Sequence, residues 1–239
     1  MDWTTLRSVG TIGVETTPSQ KSLQPATDFL YEVAQTFAQA SANFFDEIQR
    51  MPFIYRERQV QAELLPAIHH VADVVFVEHP INRDHDGKLG GGRLDYVVRY
   101  QKKFVFFIEL KFGWVAVNSD LLRKEVKDAW GEAHHQVEAI SVSDLEDLRE
   151  PLGASKRRSI KMKLLVAPCY QASKDALKLQ PYDRTIVSKI NQRFTVLDPK
   201  PNLNVVWALH ERLQVCHEYD KDRKEIYPCV VFVAGTETL

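Results

Sequence analysis

The chain has 239 residues, of which 44% are hydrophobic, and a formal net charge of −1. That length and apolar content suffice for one full core, and no internal stretch has the Pro, Gly or Ser richness of a linker. Near-neutral charge gives no global attraction to polyanions, so contact with nucleic acid would need a local concentration of Lys and Arg.

Residues 1–24, with Thr and Ser and with Gly10, Gly13 and Pro18, read as an irregular lead-in to a single domain over 25–239. A helix is expected from about Ala26 to Met51, with Phe29, Leu30, Val33, Phe37, Ala40, Phe44 and Ile48 on a stripe that packs on a sheet or a partner subunit. From Tyr55 to Val75 the residues Val60, Leu64, Ile68, Val71 and Val75 recur at helical spacing. Glu57 falls within about 20° of the centre of that stripe and Glu63 about 100° away. A strand follows around Phe76 to Pro80.

Gly87, Gly90, Gly91 and Gly92 precede a strand carrying Arg93 and Asp95. A phosphate-cradling loop would follow a strand and open a helix, so these glycines read as a turn between antiparallel strands. After a polar turn near Gln101-Lys102-Lys103, the segment Lys103 to Phe112 is rich enough in Phe, Val and Ile to be a buried strand. Glu109 and Lys111 share one face of it, Leu110 turns away, and antiparallel pairing brings Asp95 to the same edge. Buried charges of this kind are costly unless paired or bound to a metal.

Asp120 to Ile140 reads as a helix with Leu122, Val126, Ala129, Ala133, Val137 and Ile140 on one side and Gln136 flanking it. Lys156, Arg157, Arg158, Lys161 and Lys163 form a basic run in or beside a loop. A strand near Lys163 to Pro168, a helix near Tyr182 to Phe194, and strands near Val205 to His210 and Tyr227 to Ala234 complete an α/β pattern with a mixed sheet flanked by helices. His69-His70 and His134-His135 are sequence neighbours that point about 100° apart on a helix, so neither pair shares one ion. Cys169, Cys216 and Cys229 include no Cys-x-x-Cys pair, which argues against a zinc site and a disulfide framework. Without a signal-peptide pattern or an apolar run of membrane length, the expectation is an intracellular, cytoplasmic protein with no membrane partner.

An Asp in one strand followed by Glu-x-Lys in the next, here Asp95, Glu109 and Lys111, resembles the PD-(D/E)XK nuclease superfamily, the restriction endonuclease-like fold. Leu94 stands where the superfamily's name has Pro. The resemblance covers about Tyr55 to Ala167 and implies an αβββαβ core, with extra elements at either end. It implies a nuclease that hydrolyses phosphodiester bonds, in DNA ahead of RNA, by a metal-activated water. Asp95, Glu109 and the backbone carbonyl of Leu110 would hold Mg²⁺, with Mn²⁺ as substitute, because hard cations prefer oxygen ligands. Lys111 would orient or deprotonate the water. Glu57 would match the superfamily's additional helical acid, or else simply favour the positive end of a helix dipole. Gln136 and Lys124 are candidates for contacts near the scissile phosphate, or ordinary boundary residues. The run Lys156, Arg157, Arg158, Lys161 and Lys163, with Arg93, Lys102, Lys103 and Lys124, would form a basic rim around the acidic metal centre, or a solvated charged loop. A homodimer is the economical route to double-strand cleavage by analogy. The alternative is a catalytically inactive nucleic-acid-binding or structural subunit of the same fold.

Overall fold

The strands that are apolar on both faces lie at the centre of one sheet, and the more polar ones at its edges, as burial on one or both faces requires. The structure, a computed structural model of the chain, describes residues 1–16, 23–85, 88–175, 178–179, 181, 183–220 and 222–239. In chain order it contains β1 (Asp2–Leu6), β2 (Gly10–Thr16), α1 (Gln24–Ile48), α2 (Glu57–Val71), β3 (Val74–His85), β4 (Lys88–Tyr100), β5 (Phe104–Phe112) and β6 (Val115–Ala116). There follow α3 (Lys124–Glu138), α4 (Val142–Arg149), β7 (Ser159–Ser173), α5 (Arg184–Gln192), β8 (Leu203–Leu209), β9 (His217–Asp220) and β10 (Arg223–Thr238).

The sheet runs β1-β2-β8-β10-β7-β5-β4-β3, with β6 extending along β7 and β9 along β10. It is mixed: β5 and β6 run parallel to β7, and the other pairs are antiparallel. Within it, α2, β3, β4, β5, α3 and β7 succeed one another as helix, three antiparallel strands, helix and a parallel strand.

One face carries α1 and α2. Phe29 of α1 stacks on Phe106 of β5 with centroids 4.6 Å apart, and Phe37 meets Trp207 and Phe232 edge-on. Burial of such side chains contributes about 1.5–3 kcal/mol each. The expected stripe holds at Phe29, Leu30, Val33 and Phe37 and then drifts. Ala38, Ser41, Ala42 and Phe45 are buried, whereas Ile48 is 51% exposed. Small side chains bring this half of the helix close to the sheet, and their packing overrides the apolar count. The other face carries α3 and α5, which cover β7, β8 and β10 through Val126, Trp130, Val187 and Ile190, joined by Phe194 from the turn after α5. Leu145 of α4 closes the face over β4 and β5 with Val97, Val105 and Phe107.

The amino-terminal segment is not an irregular lead-in. Residues 2–16 form a hairpin whose second strand pairs with β8, and Ile12 is wholly buried. Gly10, at φ 130°, turns the chain there, and a Cβ would stand 2.1 Å from the Ala208 carbonyl oxygen. Residues 17–22 lie outside the described set, as do Gly87 and Tyr182. Gly90, Gly91 and Gly92 are not a turn either: they lie in β4, opposite Arg83, Asn82 and Ile81 of β3. The turn at 101–103 is as expected, with Gln101 and Lys102 at φ 52° and 53°.

Candidate functional site

Side chains alternate along β5. Phe106, Ile108 and Leu110 enter the core under α1 and α2, so Glu109 and Lys111 project on the opposite face, beside α3 and α4. The β4–β5 ladder ends at Tyr96 and Ile108. One residue further, Asp95 leaves the ladder and its side chain takes over as acceptor, with Oδ2 receiving the Leu110 N–H at 2.7 Å. Glu78, between the pairs Val77–Tyr96 and His79–Leu94, has φ 49°, so the neighbouring strand is also distorted at this level. The N–H and C=O of one strand residue point to the same side, so the Leu110 carbonyl faces the gap that Asp95 enters. Two carboxylates and one main-chain carbonyl therefore share one strand edge.

Glu109 is 2% exposed and pairs with the guanidinium of Arg83, itself 7% exposed. The other Arg83 donors go to the carbonyls of Gln136 and, at 2.5 Å, Arg93. Arg83 crosses β4 to reach β5, and Gly92 makes the crossing feasible: a Cβ there would stand 2.6 Å from Arg83 Nε. Burial pushes the Glu109 carboxyl up to about 7 against the pull of Arg83, and the Asp95 charge adds to the rise. Asp95 is also raised by burial, with the Leu110 N–H and the Lys111 charge opposing. A pair of carboxylates that resists ionising together is a site poised to take a proton or a cation.

Lys111 sits at the rim, its side chain 22% exposed, with Nζ 2.8 Å from Oε1 of Glu132 on α3. Glu132 also accepts from Gln136 Nε2 at 3.3 Å, one turn along the helix. Gln136 Oε1 is buried without a hydrogen-bond partner among the described residues. Asp95, Glu109, Lys111 and Gln136 are thus assembled at one place.

The remaining candidates stand elsewhere. Glu57 is exposed at the first residue of α2. Its angular position on the stripe is correct, but a helical Cβ tilts toward the amino terminus, so a side chain at the first residue extends past the packed part of the helix. This is the dipole-favouring position, and Glu63, assigned to solvent by the wheel, is the partly buried acid of the two. Arg93 is exposed and pairs with Glu78 at 2.6 Å. Lys124 opens α3, roughly 18 Å along the helix from Gln136. Lys156, Arg157 and Arg158 form an exposed turn before β7. Glu109 is level with Lys163, four residues after Ser159, so that turn lies roughly 13 Å or more down the sheet. They do not form a closed rim around Glu109.

Arg83 and Glu132 are functional neighbours that sequence reasoning passed over. Glu132 was open to discovery as the residue one turn before Gln136, on the same helix face. Arg83 had no local signal, because β3 near it shows no apolar alternation and its partner lies 26 residues away.

Among the described residues no group of three or more His, Cys, Asp or Glu side chains could hold a metal. Asp95 and Glu109 with the Leu110 carbonyl form instead a short all-oxygen set that leaves positions for water, which suits Mg²⁺ or Mn²⁺ better than Zn²⁺. No helix is long and apolar enough to cross a membrane. Comparisons with family models, curated proteins and solved structures found no match.

Proposed function

We propose that this chain is a Mg²⁺-dependent nuclease of the PD-(D/E)XK type, acting on DNA ahead of RNA. The observation that carries the reading is the convergence of Asp95, Glu109 and the Leu110 main chain on one edge of β5, with Lys111 on the same face two residues on. The succession α2–β3–β4–β5–α3–β7, with β5 parallel to β7, supports it as the αβββαβ order the resemblance implies.

Asp95, Glu109 and the Leu110 carbonyl would hold the ion. When bound, Mg²⁺ (or Mn²⁺) supplies a lowered water pKa and offsets negative charge that develops on the phosphoryl group. Lys111 orients the attacking water and faces the phosphate, and Glu132 holds its ammonium in place. Gln136 offers an unengaged amide oxygen beside them. Arg83 neutralises Glu109 and would share that carboxylate with a bound ion. Two copies of a one-site chain would cut both strands of a duplex, so a homodimer suits a duplex substrate.

The Arg83–Glu109 pair favours a second reading, in which the guanidinium replaces the metal permanently and the chain is an inactive subunit of the same fold. A cleavage assay on supercoiled plasmid and single-stranded oligonucleotide, in Mg²⁺, Mn²⁺ or chelator, separates the two. The proposal expects metal-dependent cutting that Glu109→Gln and Lys111→Ala abolish. Equal products from wild type and variants, or none under any metal, overturn it.

A further inference from the structure

The second flank of α3 carries a site of its own. His134 lies about 160–200° around the helix from Glu132 and Gln136, and it faces a recess of about 230 Å³ bounded by β7, β10 and the segment around Pro199. On liquid-water volumes that is room for about eight waters, or for one tetrahedral anion and part of the group it is attached to.

The recess is built around Lys163. This residue is 9% exposed in the middle of β7, beneath α3. Its Nζ is 3.1 Å from His134 Nδ1 and 5.3 Å from the centroid of the Trp130 ring. Trp130 is wholly buried, and its indole N–H donates to the Pro199 carbonyl at 2.8 Å, which fixes the opposite wall. Gly235 lies opposite Lys163 on β10, where a Cβ would stand 2.2 Å from Lys163 Cε. Glycine in the interior of a strand weakens it, and one of its uses is to let another group approach closely. Here that group is the stem of a lysine.

Among the described residues Lys163 has no carboxylate within ion-pair distance; Glu138, Glu237 and Asp198 favour its charge from further off, and burial outweighs them. Lys161 and Lys200 also line the recess, against Glu138 and Glu237. Glu138 is 3.8 Å from His134, and Glu237 is the cross-strand partner of Lys161. With the imidazole neutral, the lining carries three ammoniums against two carboxylates, an excess of one positive charge. Burial lowers the proton affinity of both His134 and Lys163, which leaves the imidazole neutral as an acceptor for the ammonium.

We propose that this recess binds a phosphoryl anion on Lys163, with Lys161 and Lys200 at its mouth. Lysine ammoniums serve as point-charge phosphate ligands, and Lys161 and Lys163 of β7 with Lys200 from the segment beyond Pro199 bring three of them to one anion with several oxygens. The phosphoryl group is either free phosphate or the 5′-terminal phosphate of a nucleic-acid strand.

Calorimetric titration in chelator, at constant ionic strength set with sodium chloride, tests this with inorganic phosphate and with one oligodeoxynucleotide in 5′-phosphorylated and 5′-hydroxyl forms. Wild type should bind inorganic phosphate saturably, Lys163→Met about tenfold or more weakly, and Glu109→Gln as wild type does. If the phosphorylated oligonucleotide binds more tightly than its hydroxyl form, and Lys163→Met removes the difference, the ligand is a strand terminus; with no difference, it is free phosphate. Should Lys163→Met not fold, the double variant Lys161→Met/Lys200→Met carries the test and should show a similar loss. No phosphate binding by wild type, undiminished binding in the folded Lys163 variant or the double variant, or loss in Glu109→Gln overturns the proposal.

Discussion

Arg83 and Glu109 form an ion pair with side-chain exposures of 8% and 2%, joining the outer strand β3 to β5 across the intervening β4. The pair crosses a strand because Gly92 lacks a side chain. It places a cation beside the carboxylate that the proposed chemistry needs for a metal, and most of the expected behaviour of the site follows from that competition.

Removing Arg83 leaves a buried carboxylate uncompensated. Arg83→Met should destabilise the fold by about 3 kcal/mol at pH 8 in chelator, the usual magnitude for breaking a buried pair. Saturating Mg²⁺ should restore part of the loss, because an ion that binds only the folded state stabilises it by mass action. Urea unfolding with and without Mg²⁺ checks both.

The Glu109 carboxyl should make stability fall with rising pH. Its pKa is raised from 4.5 to about 7 in the folded state, so the native protein holds a proton that the unfolded chain releases. That contribution is fully present below pH 4.5 and is lost as pH rises toward 7. It amounts to about 1–3 kcal/mol. Comparison of wild type with Glu109→Gln over this range in chelator should show the difference, and the slope should be absent from the variant.

Gly92→Ala should act through Arg83. The added methyl displaces the guanidinium from Glu109, at a cost of about 1–3 kcal/mol. In an Arg83→Met background the same substitution should cost clearly less, and a double-mutant cycle measures this coupling.

Lys111→Ala separates function from stability. Its ion pair with Glu132 is exposed, at 22% and 58%, and such pairs contribute about 0.2–1 kcal/mol. The variant should melt within a few degrees of wild type and yet lose cleavage. Asp95→Ala should also lose cleavage, but at a cost of about 1–2 kcal/mol, because the Leu110 N–H loses its acceptor. Asp95→Asn retains an acceptor and should be the milder change in stability.

Strand β5 and the shared face of Glu109 and Lys111 were legible in the sequence because a run such as Phe106-Phe107-Ile108 fixes burial, and a period of two then fixes direction. The helix carrying Gln136 was legible from Val126, Ala133 and Val137, which are buried as their spacing implies. What was not legible depended on distant partners. The edge strands β1 and β2 are rich in Thr and Gly and become strands through pairing with β8. The Gly90–Gly92 stretch reads locally as a turn, and only the position of Arg83 across the hairpin reveals why Gly92 sits in a strand. Glu57 shows that a helical wheel gives direction without giving where the packed part of the helix begins.

The central claim is that Asp95 and Glu109 together hold a divalent cation in spite of Arg83. Titration of Mn²⁺ into the protein, followed by electron paramagnetic resonance, tests it most directly. Wild type should bind Mn²⁺ saturably, Asp95→Asn and Glu109→Gln should lose the binding, and Arg83→Met should bind more tightly. Absence of Mn²⁺ binding in both wild type and Arg83→Met, or undiminished binding in the two carboxylate variants, would contradict it.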